Sequence, residues 1–344
     1  SKGPSMGEIS LQFEVISLIV LVAILVGDLL LVLKRPHVPS FKECIGWVVF
    51  YVALALIFAV TLYFLADHQV AGEFIAGWLT EYSLSIDNLF VFIVIMSKFA
   101  VPRKYQQEVL MVGIIIALIA RAIFILLGAA VIDSFAWVFY IFAIFLFYTA
   151  YKQVQGEDEE EEAEDGFIMK NLKKAIHVHD DYDGNKLRTV VNGKKVFTPM
   201  LLVFLTIGLT DVMFAFDSIP AIFGITQNPF IVFTTNLFAL MGLRQLYFLL
   251  GGLVDRLVYL HYGLAAILAF IGLKLVIHAA HEAPLWPKDS GFGHFVHSIP
   301  EIPIWLSLAV IAGSMIIAII ASILWGPKNT NEEPAATVEG GESR

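Results

Sequence analysis

Nine runs of apolar residues, each near the length of about 20 that crosses a bilayer, constrain this chain more than any other feature. They lie at roughly 11–33, 46–66, 73–97, 107–130, 135–151, 199–224, 230–252, 258–279 and 302–325. In hydrocarbon every backbone polar group must be satisfied within the protein, so runs of this kind fold as helices. Of 344 residues, 58% are hydrophobic and 15% charged, well outside the balance of soluble domains. The expected fold is an all-α polytopic membrane protein with about nine transmembrane helices in a lipid bilayer.

Lysine and arginine orient the spans, because short loops rich in them stay cytoplasmic. Lys34, Arg35 and Lys42 follow the first run, and Lys98, Arg103 and Lys104 follow the third. Basic residues gather again after the fifth run, from Lys152 to Lys195, with Arg256 after the seventh and Lys328 after the ninth. The opposite loops hold only Lys288, apart from Lys2. The amino terminus is therefore expected outside and the carboxyl terminus in the cytoplasm, in a bacterial-type inner (plasma) membrane.

The opening SKGPS, residues 1–5, reads as an expression scar before Met6; the apolar run that follows is too long for a signal peptide and lacks an Ala-x-Ala cleavage site. Residues 6–151 hold the first five spans, 152–198 a cytoplasmic insert, 199–279 spans six to eight, 280–301 an external loop, 302–325 the ninth span and 326–344 a cytoplasmic tail. Much of the net charge of -9 comes from EDEEEEAED, Glu157 to Asp165, inside the insert, so it says little about a ligand. That stretch buries too little apolar surface to order itself, and reads as a solvated linker rather than a cation trap. Beyond it, NKLRTVVNGKKVF alternates about Asn192-Gly193 and predicts a short β-hairpin. HVHDDYDGN reads as a polar turn, since its Asp181-x-Asp183-Gly184 spacing misplaces the glycine of an EF-hand loop.

Two of the apolar runs carry acids where none is expected. LTEYSLSIDN, Leu79 to Asn88, and LTDVMFAFDS, Leu209 to Ser218, each place two carboxylates six residues apart. Aligned, they pair Thr80 with Thr210, Glu81 with Asp211 and Asp87 with Asp217. Further on, ARAIFILLG parallels LRQLYFLLG, with Arg121 and Arg244 each seven residues before a glycine. Helices three to five thus repeat as helices six to eight. Because each unit holds three helices, an odd number, the second copy enters from the opposite side, which makes an inverted repeat of the kind found in secondary transporters.

Each acid at a helix centre costs about 2.5–3.5 kcal/mol on the insertion scale, so four of them need partners. Six residues on a straight helix turn through about 240°, which puts Glu81 and Asp87 on different faces. The small polar residues in SIDN and the proline in DSIP, Pro220, suggest that both helices break there and aim carboxylates and freed carbonyls into one cavity. Carboxylate, hydroxyl and amide oxygens suit a hard divalent cation such as Mn²⁺, Mg²⁺ or Ca²⁺, and the same acids could carry protons when no metal is bound. A competing reading makes them buried ion pairs, with Arg121, Arg244 and Lys274 neutralising three of the four.

The stretches EYSLSIDNLFVF, DVMFAFDSIPAIFGIT, NLFALMGLRQLYFLL and YGLAAILAFIGLKLVIH closely resemble the TerC family of integral membrane proteins, including its Alx-type members, and the likeness spans most of the chain. The resemblance implies a fold related to the LysE transporter superfamily and a role in manganese export. On the matching positions it implies a cation site of Glu81, Asp87, Asn88, Asp211, Asp217 and Ser218. Ser85, Arg121, Arg244 and Lys274 form a second tier with Asp28, which resembles a family acid in the first helix. The acidic insert is longer than the family pattern, which leaves the regulation of that loop open.

The leading expectation is export of divalent metal, foremost Mn²⁺, in exchange for protons, by rocking of the two repeats around the acidic site. The alternative is an accessory protein that delivers metal to exported metalloenzymes, or assembles exported proteins, without substantial transport of its own; homo-oligomers are compatible with both. No enzymatic activity is expected. There is no Walker phosphate loop, and Asp28 follows Gly27 but lacks the Gly-x-Gly-Asp context of intramembrane aspartyl proteases, since Leu25 stands where the first glycine belongs. Nothing suggests a prosthetic group or a nucleic-acid partner. His278, His281, Glu282, His294 and His297 crowd the last external loop at irregular spacing and read as an ordinary hydrated loop. Cys44 is the only cysteine, so no intrachain disulfide can form.

Overall fold

The computed structural model describes residues 9–34, 38–155, 171, 178–251 and 257–326, with the side chains of Leu33, Phe90 and Asp217 left out. The residues 1–5, Arg35, the acidic run Glu157–Asp165, Lys170, Lys173, Lys174, Arg256 and the tail from 327 on lie outside the described residues.

Among the described residues the regular elements are helices apart from one hairpin. The first five helices are α1 (Leu11–Lys34), α2 (Phe41–Leu65), α3 (His68–Lys98), α4 (Arg103–Ser134) and α5 (Val138–Gln155). Strands β1 (Arg188–Val191) and β2 (Lys194–Phe197) come next, then α6 (Pro199–Ile225), α7 (Pro229–Leu240), α8 (Leu243–Leu250), α9 (Leu260–Glu282), α10 (Gly291–Ser298) and α11 (Ile304–Trp325). Seven of these helices are long and apolar enough to cross a membrane, namely α1 to α4, α6, α9 and α11. Their outward faces carry large apolar side chains such as Leu30, Ile57, Leu126 and Ile317, as helices bathed in lipid require. The chain is thus a polytopic membrane protein.

The remaining expected spans take other forms. The fifth is the 18-residue α5, which packs along α9. The seventh is divided: α7 stops at Leu240, and α8 restarts after Gly242, whose φ of 76° is open to glycine at little cost. A Cβ at Gly242 would also stand 2.9 Å from the Tyr51 ring, so the break is wedged against α2.

Helices three and six do not break where the sequence suggested. Both α3 and α6 run unbroken through Ser85–Asn88 and through Pro220. The local hydroxyls explain part of this: Thr80 donates to the Ala76 carbonyl, Ser83 to Leu79 and Thr210 to Thr206, so they decorate the helical ladder instead of competing with it. With α3 unbroken, Glu81 and Asp87 face different neighbours.

Small residues let the central helices close up. A Cβ at Gly113 would stand 2.7 Å from Ile207, and one at Gly208 would stand 2.8 Å from Ile116, so α4 and α6 approach at both points. Two apolar cores result, one centred on α2, α3, α7 and α8, the other on α5, α6 and α9.

The hairpin turns through Asn192 and Gly193, with φ of 53° and 79°, in the primed geometry that matches strand twist. It is anchored to the helices. Tyr182 donates to the Phe99 carbonyl at the end of α3, and Asn185 donates to Glu108 on α4. Burial pushes the Tyr182 phenol up to about 12, so it remains a donor through neutral pH. The expected polar turn at HVHDDYDGN is this docking segment. The loop at 280–301 is also more ordered than expected, holding α10, and Glu301 pairs with His278 of α9 at 2.9 Å.

Candidate cation site

Three helices bring acceptors to one guanidinium carried by a fourth. Arg121 Nη1 on α4 donates to Glu81 Oε2 of α3 at 3.0 Å, to Ser218 Oγ of α6 at 3.1 Å and to Asn236 Oδ1 of α7 at 2.7 Å. Asn236 is turned to accept because its own amide donates to the Val232 carbonyl at 2.8 Å. Glu81 is 1% exposed and Arg121 2%, so the pair is held in a dry interior, where each ion alone would cost several kcal/mol.

The pairing is incomplete. Glu81 Oε1 is buried and has no hydrogen-bond partner among the described residues, and neither does Arg121 Nε. Asp211, 5% exposed, lies within electrostatic reach of Arg121. Its Oδ2 stands where α4 has only Gly113, 3.2 Å from the position a Cβ would take there. Two buried carboxylates therefore share one guanidinium. Among these three side chains there is thus one more acid than there are cations.

Asp87 is not part of this group. It faces α5 and α9, where Gln153 Nε2 donates to its Oδ2 at 3.1 Å and His261 Nδ1 lies 3.4 Å from its Oδ1. Asn88 is half-buried next to it, and Ser85 is buried on α3. The backbone of Asp217 lies in α6 beside Ser218, and its side chain is outside the described residues.

The other basic residues have partners of their own. Arg244 on α8 donates to Asp28 of α1 at 2.8 Å and to Gln107 of α4 at 2.7 Å, while Gln245 also donates to Asp28. These residues line a cleft of about 200 Å³, rimmed by Pro39, Glu43 and Trp47 at the α1–α2 turn. Lys274 on α9 donates to Ser307 at 3.1 Å and feels Glu73 and Glu301. Among the described side chains, of the three cations expected to neutralise the repeat acids only Arg121 does so: Arg244 holds Asp28, and Lys274 sits with a different group.

Asn236, Gln107, Gln153, Gln245 and His261 escaped the reading of the sequence. The polar trio Thr234-Thr235-Asn236 in the seventh apolar run was a signal for the first. Gln153 and His261 lie at the ends of apolar runs, where polar residues are unremarkable. Among the described residues, no three His, Cys, Asp or Glu side chains converge as a ready metal cage.

A helical membrane bundle with buried carboxylates around a shared arginine defines a polytopic integral membrane protein with a polar centre, a feature that in membranes marks function by default. Residues 66–330 match the integral membrane protein TerC family, and the chain belongs to that family. It is 40% identical over 325 residues to an uncharacterized membrane protein of Mycobacterium tuberculosis, covering 93% of this chain and 81% of the relative. An uncharacterized membrane protein of Myxococcus xanthus is 39% identical, covering 93% of this chain and 94% of its own. A Salmonella typhi protein provisionally named membrane-bound redox modulator Alx is 37% identical over 88% of this chain and 91% of its own. No solved structure matches the chain.

Proposed function

We propose that this protein is a secondary transporter that exports a divalent metal, foremost Mn²⁺, in exchange for protons, through the acidic centre shared by two inverted three-helix repeats. One observation carries the reading: Glu81 and Asp211, both buried, share the single guanidinium of Arg121, and Glu81 keeps a buried oxygen with no donor among the described residues. Glu81, Asp211, Ser218 and Asn236 offer the hard oxygen ligands that Mn²⁺ accepts, joined in the cycle by Asp87, Asn88 and Asp217. Arg121 fills the place of the cation in this state, and metal displaces it in another.

The packing supports the repeat. Exchanging α3 with α6, and α4 with the α7–α8 pair, turns the α3–α7 contact into the α6–α4 contact, while the α5–α9 contact maps onto itself. Counting α5 and the α7–α8 pair as crossings gives nine spans, with the amino terminus outside. The Asp28 cleft then opens toward the cytoplasm, on the side from which an exporter loads.

The accessory role is the second reading, and the exposed Leu187 and Val190 on the docked hairpin segment favour it as apolar contacts for a partner. The two separate on turnover. Purified protein in lipid vesicles is expected to move Mn²⁺ saturably, with the flux lost in Asp211→Asn. Metal binding without flux above empty vesicles would refute transport and leave the accessory role.

A further inference from the structure

The cluster at Asp87 is chemically unlike the Arg121 centre, because it contains a nitrogen. Three elements build it at one end of the bundle: Asp87 from α3, Gln153 from the last turn of α5 and His261 from the first turn of α9. Asp87 and Gln153 are buried, whereas the His261 side chain is 28% exposed, so the group has a path to solvent. The three side chains meet at one point. His261 Nδ1 lies 3.4 Å from Asp87 Oδ1 and 3.2 Å from Gln153 Oε1, and Gln153 Nε2 lies 3.1 Å from Asp87 Oδ2.

The two separations from His261 Nδ1, 3.4 and 3.2 Å, fall within the range of adjacent ligands on one ion. Ligands at about 2.0–2.6 Å from a metal and at right angles to each other stand about 2.8–3.7 Å apart. A cation held by Asp87 Oδ1, Gln153 Oε1 and His261 Nδ1 would replace the contacts that now link these side chains. The donor set of carboxylate oxygen, amide oxygen and imidazole nitrogen is also selective. Mg²⁺ and Ca²⁺ take oxygen ligands, whereas first-row transition ions also accept imidazole.

We infer that Asp87, Gln153 and His261 form a mixed nitrogen–oxygen station for a first-row divalent cation, and that His261 discriminates against Mg²⁺ and Ca²⁺. This rests on the transport reading for its place in a cycle, but the ligation stands or falls by itself. The Arg121 centre, built from oxygen donors alone, has no such means of telling Mn²⁺ from Mg²⁺. Selection therefore takes place at one end of the path, before or after the ion occupies the middle.

Pulsed electron paramagnetic resonance on Mn²⁺-loaded full-length protein tests the ligation directly, because an imidazole nitrogen bound to Mn²⁺ couples to its electron spin. The nitrogen coupling is expected in the wild type, absent in His261→Gln and retained when the other eight histidines, those of the 280–301 region included, are all replaced by Asn. That last variant keeps the test decisive should His261→Gln fold poorly. In Mn²⁺ binding against excess Mg²⁺, His261→Gln should lose about tenfold of the preference, within the range that altering a metal site brings. Bound Mn²⁺ with no nitrogen coupling, or a coupling that vanishes with the other histidines, overturns the inference and leaves transport untouched. A His261-dependent coupling in a protein that moves no Mn²⁺ upholds the inference and removes export.

Discussion

Arg121 and Glu81 meet at 3.0 Å across α4 and α3 with side chains only 3% and 1% exposed, forty residues apart in sequence. Removing one partner of such a pair strands a charge, at about 3–5 kcal/mol, while removing both can be close to neutral. Arg121→Gln should therefore lower the thermal stability of the detergent-solubilised protein markedly, and Arg121→Gln combined with Glu81→Gln should regain much of it. Equal melting of the wild type and Arg121→Gln would mean that the pair does not hold the helices in this arrangement.

The Asp28 cleft is open and the Arg121 centre is sealed, so the two should differ in access. In a Cys44→Ala background, Glu43→Cys at the rim of the cleft should react with a membrane-impermeant thiol reagent applied from the cytoplasmic side. Glu81→Cys should react at least about tenfold more slowly. Labelling of Glu43→Cys only from the outside would reverse the orientation inferred from lysine and arginine.

Cys44 is the only cysteine and is buried. One thiol cannot cycle as an intrachain disulfide. Cys44→Ala is expected to transport Mn²⁺ at a rate within about twofold of the wild type, the small packing loss apart. Loss of flux in a variant that folds normally would point to thiol chemistry.

Gly113 stands where α4 meets both Ile207 and Asp211 of α6. A leucine there would push the helices apart at the acidic centre, and overpacking of this kind typically costs about 1–3 kcal/mol. Gly113→Leu should lower thermal stability and Mn²⁺ flux together. Flux at the wild-type level would show that the close approach is not needed.

The docking segment holds itself through Tyr182, Asn185 and the strand ladder, none of which draws on the acidic run. Deleting Glu157 to Asp165 should leave Mn²⁺ flux largely intact. Its abolition would move the active region from the helices into the insert.

The helices were legible in the sequence because hydrocarbon leaves a span no alternative, and the apolar runs mark α1 to α4 and α6 closely. Breaks were not. Pro220 looked like one, yet α6 continues through it, while the actual break at Gly242 follows an ordinary Leu-Met-Gly and is wedged against Tyr51 from a helix far away in the chain. The acids were visible from their cost, but their partners were not: Arg244 reaches Asp28 across 216 residues, a choice set by packing alone. His261 was hidden for a different reason, since a histidine at the edge of an apolar run is indistinguishable by pattern from an interfacial residue.

The most direct test of exchange through the acidic centre is Mn²⁺ flux into vesicles holding the wild type or Asp217→Asn, with and without an imposed pH gradient. The flux should be saturable, should be driven by the gradient in the direction opposite to proton flow, and should fall to the level of empty vesicles in Asp217→Asn. Flux that ignores the gradient, or that survives loss of Asp217, would contradict it.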